Sequence, residues 1–453
     1  MAGIGFTLKR VISRGDLTSF TAGSLSGVLV VAGPSLLSMA TIWLVMGPLG
    51  AARPEAAAPF TALLIYTLAL STILSGGVQY SFTRFVADRI HERAEPVAVG
   101  ALLRLLAWLA PSACAAGALF SVVGRVLPGN QALAAAVSGL LSGAVTCMWV
   151  LVLFSSLLHK HARILLVYGL GMAAAAGLSW LGRDMGPAGL ALGFGLGYLV
   201  LCAGLLILIL AEFKPQAPPR GSAVVAMARR YPALCAYGFV YYAATWADKF
   251  AAWLVLGDAP LGTRLLLHQP TDSVAYLAGL TIVPGLAFFV IASETSYFAA
   301  LRRFLKALSG RPYLDIQRTL ADLAARGREA LAALALFQAL VTAAALLAAP
   351  ALALEPGRMR GFAVYTLGAF FHLMAVAAQN FLFYVEAYGK ALSGAAVFLV
   401  VNAALSTALA LAAPGLGPGW GFLAGGLASA VLSLFLALRS LRCLDRLLYT
   451  SSN

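Results

Sequence analysis

Apolar runs of about 20 residues, the length that carries an α-helix across ~30 Å of hydrocarbon, recur along nearly the whole 453-residue chain. Basic residues crowd the alternate gaps between them. A chain that is 61% hydrophobic and 11% charged cannot clothe itself in a water-soluble surface. The pattern predicts an all-α polytopic inner-membrane protein. Its spans fall roughly at 18–46, 59–83, 98–124, 131–157, 163–182 and 187–211, then at 232–257, 272–298, 330–352, 362–387, 391–413 and 420–440. The third and fifth leave room for strong tilt or a re-entrant element.

Lys and Arg set the orientation, because cytoplasmic loops carry the excess. With the N-terminus in the cytoplasm, the cytoplasmic segments hold 23 basic residues and the external gaps hold six: Arg53, Arg125, Arg183, Arg264, Arg358 and Arg360. Both termini are therefore expected in the cytoplasm. The net charge of +14 is accounted for by facing anionic headgroups, without nucleic acid. The first run is too long for a signal-peptide core and contains Pro34, so it reads as a retained helix.

The two halves look related. At a constant offset of 210, Trp43, Leu44, Val45 and Gly47 match Trp253, Leu254, Val255 and Gly257, and Tyr66 and Leu70 match Tyr276 and Leu280. Six spans per half give a parallel repeat, two pseudo-symmetric six-helix lobes with a substrate path expected between them. The first lobe would cover residues 1–211 and the second 232–453, joined by the proline-rich, basic linker 212–231. A second cytoplasmic excursion spans about 299–329. There Leu301, Phe304, Leu305 and Leu308 follow helical spacing, as do Ile316, Leu320 and Leu323, with Arg302, Arg303 and Lys306 on the other face. An amphipathic helix lying on the inner leaflet is expected, or a docking surface for a cytoplasmic partner. The stretch from Ile4 to Ile12 is a shorter version, with Lys9 and Arg10 on its polar side. The pairs Gly23/Gly27 and Gly421/Gly425 read as close helix packing. Gly193, Gly195 and Gly197 follow no strand, so they make no dinucleotide fingerprint.

Charges inside spans are costly and mark candidate function. Asp248 lies in the seventh span, about 24 Å from its cytoplasmic end at the helical rise per residue. Neighbours on a helix point about 100° apart, as 3.6 residues per turn dictates, so Asp248 and Lys249 are not expected to pair tidily. Each should find a partner on another helix or in water. Arg104 lies about 10 Å into the third span, where it can snorkel or meet an anion. Glu294 and Glu386 sit near cytoplasmic span ends. His372, Gln379, Asn380 and Asn402, with Gln79 in the second span, add uncharged polar groups. Asp248, Lys249, Arg104 and Glu294 are the charged candidates for a substrate path. Glu386, Asn402 and Gln379 complete the set. Pro34 and Pro284 interrupt their spans and can kink them.

Enzyme signatures are missing. There is no GxxxxGK[ST] loop and no HExxH, and no soluble segment could hold a sugar transferase. The five cysteines have no metal-ligand spacing and read as small packing residues. No cofactor is expected.

Several segments resemble the PelG family, the membrane transporters of the Pel exopolysaccharide system. They are MAGIGFTLKR at the start, VVAGPSLLS at 30–38, QYSFTRFVADRI at 79–90, WADKFAAWL at 246–254 and SETSYFAALRRF at 293–304. That resemblance implies the fold of the multidrug, oligosaccharidyl-lipid and polysaccharide flippases. It implies export of a galactosamine-rich polymer made by a cytoplasmic glycosyltransferase and assembled with other membrane components of the system. Asp248, Glu294 and Glu386 would then suit a cationic amino-sugar polymer. Two other functions remain open at this point: a cation-coupled drug or lipid-linked oligosaccharide flippase of the same fold, and a non-transporting scaffold for a synthase.

Overall fold

The computed structural model describes residues 37–50, 52–155, 158, 160–216, 223–260 and 263–442. Pro34, Gly23, Gly27 and the Ile4–Ile12 stretch lie outside them. The described chain is mostly helical, with short 3₁₀ and π turns, connecting loops and one isolated antiparallel bridge between Asp258 and Leu267. Nine helical stretches among the described residues are long and apolar enough to cross a membrane. One of them, Ala162–Glu212, runs for 51 residues. It holds the fifth and sixth expected spans, divided at a 3₁₀ turn, Arg183–Met185. The first span is described as Leu37–Gly50, a shorter apolar helix. The seventh is a 25-residue helix, Pro232–Leu256, which is long enough but too polar to join the nine. The expected twelve-helix plan is thereby recovered.

The chain divides into two compact units. The first takes residues 33–243 and 257–267. Its described helices are α1 (Leu37–Gly50), α2 (Pro54–His91), α3 (Glu95–Gly124), α4 (Gln131–Ser155), α5 (His161–Gly182), α6 (Gly186–Glu212), α7 (Ala223–Arg230) and the first half of α8 (Pro232–Leu256). Without water in the bilayer to drive helices together, close packing of small residues has to do it. α5 and α6 pack backbone to backbone: a Cβ on Gly193 would sit 2.3 Å from the Ser179 nitrogen, and one on Gly197 would sit 2.3 Å from the Ala175 Cα. Gly193 and Gly197 thus form a packing face toward α5, while Gly195 faces Leu140 and Leu141 of α4. α3 turns the other way. Little of it is buried, and Trp108 is 71% exposed, which in this class of protein means lipid. The linker helix α7 returns to the same unit, where the Tyr231 hydroxyl donates to Asp88. Burial first, and then that carboxylate, raises the Tyr231 phenol above its ordinary value.

The second unit takes residues 244–256 and 268 onward. It holds the second half of α8, then α9 (Gln269–Leu280), α10 (Ile282–Ala292), α11 (Phe298–Leu308), α12 (Tyr313–Ala348), α13 (Pro356–Tyr384), α14 (Tyr388–Ala412) and α15 (Trp420–Arg442). The glycines of α15 behave as expected. A Cβ on Gly421 would lie 2.8 Å from the Asn402 carbonyl oxygen, and one on Gly425 would lie 3.0 Å from that of Phe398. Pro284 does interrupt its span. α9 stops at Leu280 and α10 restarts at Ile282, because proline cannot supply the N–H that would reach back one turn. The Thr281 carbonyl at the break accepts from the Gln338 Nε2, at 2.9 Å. A π turn, Ser293–Tyr297, separates α10 from α11.

The 299–329 excursion corrects two expectations. It is not one surface helix: α11 ends at Leu308, and its second part is the beginning of α12, which continues unbroken into the ninth span. Nor is its apolar face free. Leu301 and Phe304 are buried as α11 packs on α12, while Ile316, Leu320 and Leu323 are buried on the facing helix. Arg303 ties the hairpin to Asp322 at 2.7 Å. Of the four proposed docking residues, Leu305 alone is exposed, with Leu308 half-buried. The periodicity was amphipathic because the chain folds back on itself there.

Candidate functional site

α8 carries the site. Its residues 244–256 present Asp248, Lys249 and Trp253 within the second unit. Asp248 is 3% exposed, and a buried carboxylate must be paired and hydrogen-bonded. Both conditions are met. Oδ1 accepts from the Asn402 Nδ2 on α14 at 3.2 Å, and Oδ2 accepts from the Tyr365 hydroxyl on α13. Asn402 also donates to the Ala244 carbonyl at 2.9 Å and accepts from the Ser406 hydroxyl at 3.1 Å, which fixes its amide.

Lys249 overturns the expectation that adjacent residues would diverge. Its Nζ lies 3.1 Å from Oδ2 and 3.2 Å from Oδ1 of Asp248. Four methylenes give the ammonium enough reach to curl back, so the 100° between neighbouring Cβ directions does not decide the matter. The same ammonium donates to the Thr245 carbonyl at 3.1 Å. It stands 5.4 Å from the Tyr365 ring centroid and 5.0 Å from that of Phe422, within cation–π range. One turn further along α8, the Trp253 Nε1 donates to both oxygens of Asp272 at the start of α9, at 2.9 and 3.1 Å. Trp253 is fully buried.

A cavity of about 420 Å³ opens beside this network. Asp248, Tyr365 and Ser406 line it together with His268, Glu355 and Arg358. Of the residues chosen from sequence, Asp248, Lys249 and Asn402 are thus brought together. Gln379 is buried in the same unit but elsewhere, donating to Ser433 at 3.1 Å and to Ser429 at 3.4 Å on α15. Glu386 is exposed in the turn between α13 and α14, at a left-handed φ of 57°. Arg104 belongs to the first unit, half-buried on α3. The Glu294 side chain lies outside the described set. The sequence did not mark Tyr365, Asp272 or Phe422, and it marked Trp253 only as part of the repeat and not of the site. One signal was present: Tyr365, His372 and Gln379 recur every seven residues on α13, and all three are buried, so they mark one inward face.

The first unit has a polar cluster of a different kind. The Tyr242 hydroxyl donates to the Gln79 Oε1 at 3.1 Å, and the Gln79 Nε2 donates to the Ser75 hydroxyl at 2.7 Å. Tyr80 meets Tyr237 edge to face at 4.8 Å, and Tyr237 stacks on Tyr241 at 5.7 Å. No charged residue takes part in the bonds and ring contacts just given. Among the described residues, no group of three His, Cys, Asp or Glu side chains could hold a metal ion.

The profile of the family described as "PelG: Putative exopolysaccharide Exporter (EPS-E)" matches residues 1–449. The chain belongs to that family. Its fold is that of the multidrug and toxin extrusion transporters. An outward-facing multidrug resistance MATE transporter of the MOP superfamily is similar at a TM-score of 0.65 and 15% identity, covering 98% of this chain and 100% of the other. A MATE transporter in the straight conformation is similar at 0.64 and 14% identity, covering 93% of this chain and 96% of its own. No curated protein matches the sequence. The chain is a multi-pass membrane protein of an exporter family.

Proposed function

We propose that the chain exports a galactosamine-rich exopolysaccharide across the bacterial inner membrane, as the transport subunit of a synthase complex that includes a cytoplasmic glycosyltransferase. The observation that carries this is the family match along residues 1–449. No enzymatic step is assigned to the chain. The Asp248 network supports the reading, because a carboxylate, a cation and neutral hydrogen-bonding groups beside an open cavity suit a hydroxylated polymer. The basic residues place both termini in the cytoplasm in this proposal, and the exposed Arg302, Lys306 and Arg311 of the α11–α12 hairpin become its candidate partner surface.

Deletion of the chain from a polymer-producing cell tests it. Secreted galactosamine polymer should vanish while the glycosyltransferase stays at normal level, and the full chain should restore secretion. Secretion that persists without the chain refutes the proposal. Orientation is read separately by impermeant thiol labelling of cysteines introduced at Gly50, Thr263 and Ser222. The first two should react in intact cells and the third should not, and the opposite pattern refutes the orientation.

A further inference from the structure

The surroundings of the Lys249 ammonium are those of a bound ligand cation. A carboxylate lies on one side at 3.1 Å, a backbone carbonyl at 3.1 Å, and two aromatic faces, Tyr365 and Phe422, at 5.4 and 5.0 Å. Carboxylate, carbonyl and ring faces together are what a small primary ammonium needs, because they supply acceptors for its protons and quadrupoles for its charge. The cation found there is tethered to the chain, and its side chain is only 16% exposed.

The Asp248 oxygens are also spoken for. Oδ1 takes Asn402 and Lys249, and Oδ2 takes Tyr365 and Lys249. A sodium or potassium ion arriving from the cavity would have to expel those donors or stand beside a fixed ammonium, where like charges a few ångströms apart repel strongly in a poorly hydrated site.

We infer that Lys249 is the resident cation of this site: its ammonium fills a cage that would otherwise take a small free ammonium, and it closes the Asp248 carboxylate to mobile inorganic cations. Export driven by a sodium or potassium ion would then have to bind that ion elsewhere in the chain. The inference concerns binding alone and stands whatever polymer is exported.

The test follows the thermal midpoint of the full chain in detergent, with sodium, potassium or methylammonium chloride added at constant ionic strength. The wild type should respond equally to all three. Lys249→Ala empties the cage, and methylammonium should then raise its midpoint by several degrees, saturably. The rise should disappear when Asp248→Asn is added. Lys249→Ala protein that methylammonium does not stabilise overturns the inference. So does wild-type protein that sodium or potassium stabilises in a manner lost with Asp248→Asn. If Lys249→Ala cannot be recovered from membranes, the wild-type and Asp248→Asn measurements decide. Equal, flat responses to sodium and potassium support the tethered cation, and an Asp248-dependent rise refutes it.

Discussion

The two units solve the problem of polar groups inside a membrane in opposite ways. In the first, the bonded cluster is neutral: Gln79, Ser75 and Tyr242, with Tyr80, Tyr237 and Tyr241 packed ring on ring. In the second, the cluster is charged: Asp248, Lys249 and Asp272 are held by Tyr365, Asn402 and Trp253. A neutral hydrogen bond between helices contributes about 0.6 kcal/mol on average in such surroundings. An uncompensated buried charge costs several times as much. The first cluster can therefore be explained by packing, whereas the second needs either complete internal pairing or a task.

The comparison is broken most violently by stranding one charge. Asp248→Ala leaves the Lys249 ammonium among Tyr365 and Phe422 without its carboxylate. The expected loss is about 3–5 kcal/mol, the scale for breaking a buried pair, seen as a collapse of the thermal midpoint or of the amount of protein in the membrane. Trp253→Phe comes next. It removes the donor shared by both Asp272 oxygens and should cost about 1.5–3 kcal/mol, the scale for a hydrogen bond to a charged group. A third variant, Gly197→Val, acts in the first unit through shape alone. It forces α6 away from Ala175, and overpacking of this kind costs about 1–3 kcal/mol, with no specific effect on export by the protein that remains. The smallest effect should come from Tyr242→Phe, which removes one neutral hydrogen bond to Gln79 and should cost about 0.5–1.5 kcal/mol. Comparing its midpoint with that of Trp253→Phe measures the contrast directly. Equal losses would erase it.

Sequence alone carried the helix plan, because apolar length and a break at Pro284 are local facts. The packing face of α15 at Gly421 and Gly425 was legible for the same reason, since small residues at that spacing on an apolar helix have few other uses. The charged residues of α8 were equally visible as candidates, because a carboxylate is rare at that depth. Their partners were not. Tyr365 and Phe422 are ordinary members of apolar helices until folding brings α13 and α15 to α8, and only the seven-residue recurrence of Tyr365, His372 and Gln379 hinted at an inward face. The Asp248–Lys249 pair was misjudged because backbone direction was used where side-chain length decides. The 299–329 segment was misjudged because amphipathic periodicity does not say what covers the apolar side; in this chain α12 does. The internal repeat is instructive in the same way. Trp43 and Trp253 share a place in the 210-residue offset, yet the first is 73% exposed and the second fully buried against Asp272 and Phe250. A repeated residue type does not imply a repeated environment.

The central claim is that the charges of the second unit serve export and not stability alone. Asp248→Asn with Lys249→Met tests it most directly. That variant removes both charges at once and strands neither, a change that is often neutral or stabilising for a buried ion pair. Polymer secretion and the membrane level of the protein are measured together. The expected result is a normal protein level, a midpoint at or above that of the wild type, and secretion reduced to a small fraction. Normal secretion by a normally abundant double variant would contradict the claim, and the Asp248–Lys249 pair would then be a structural element of the fold.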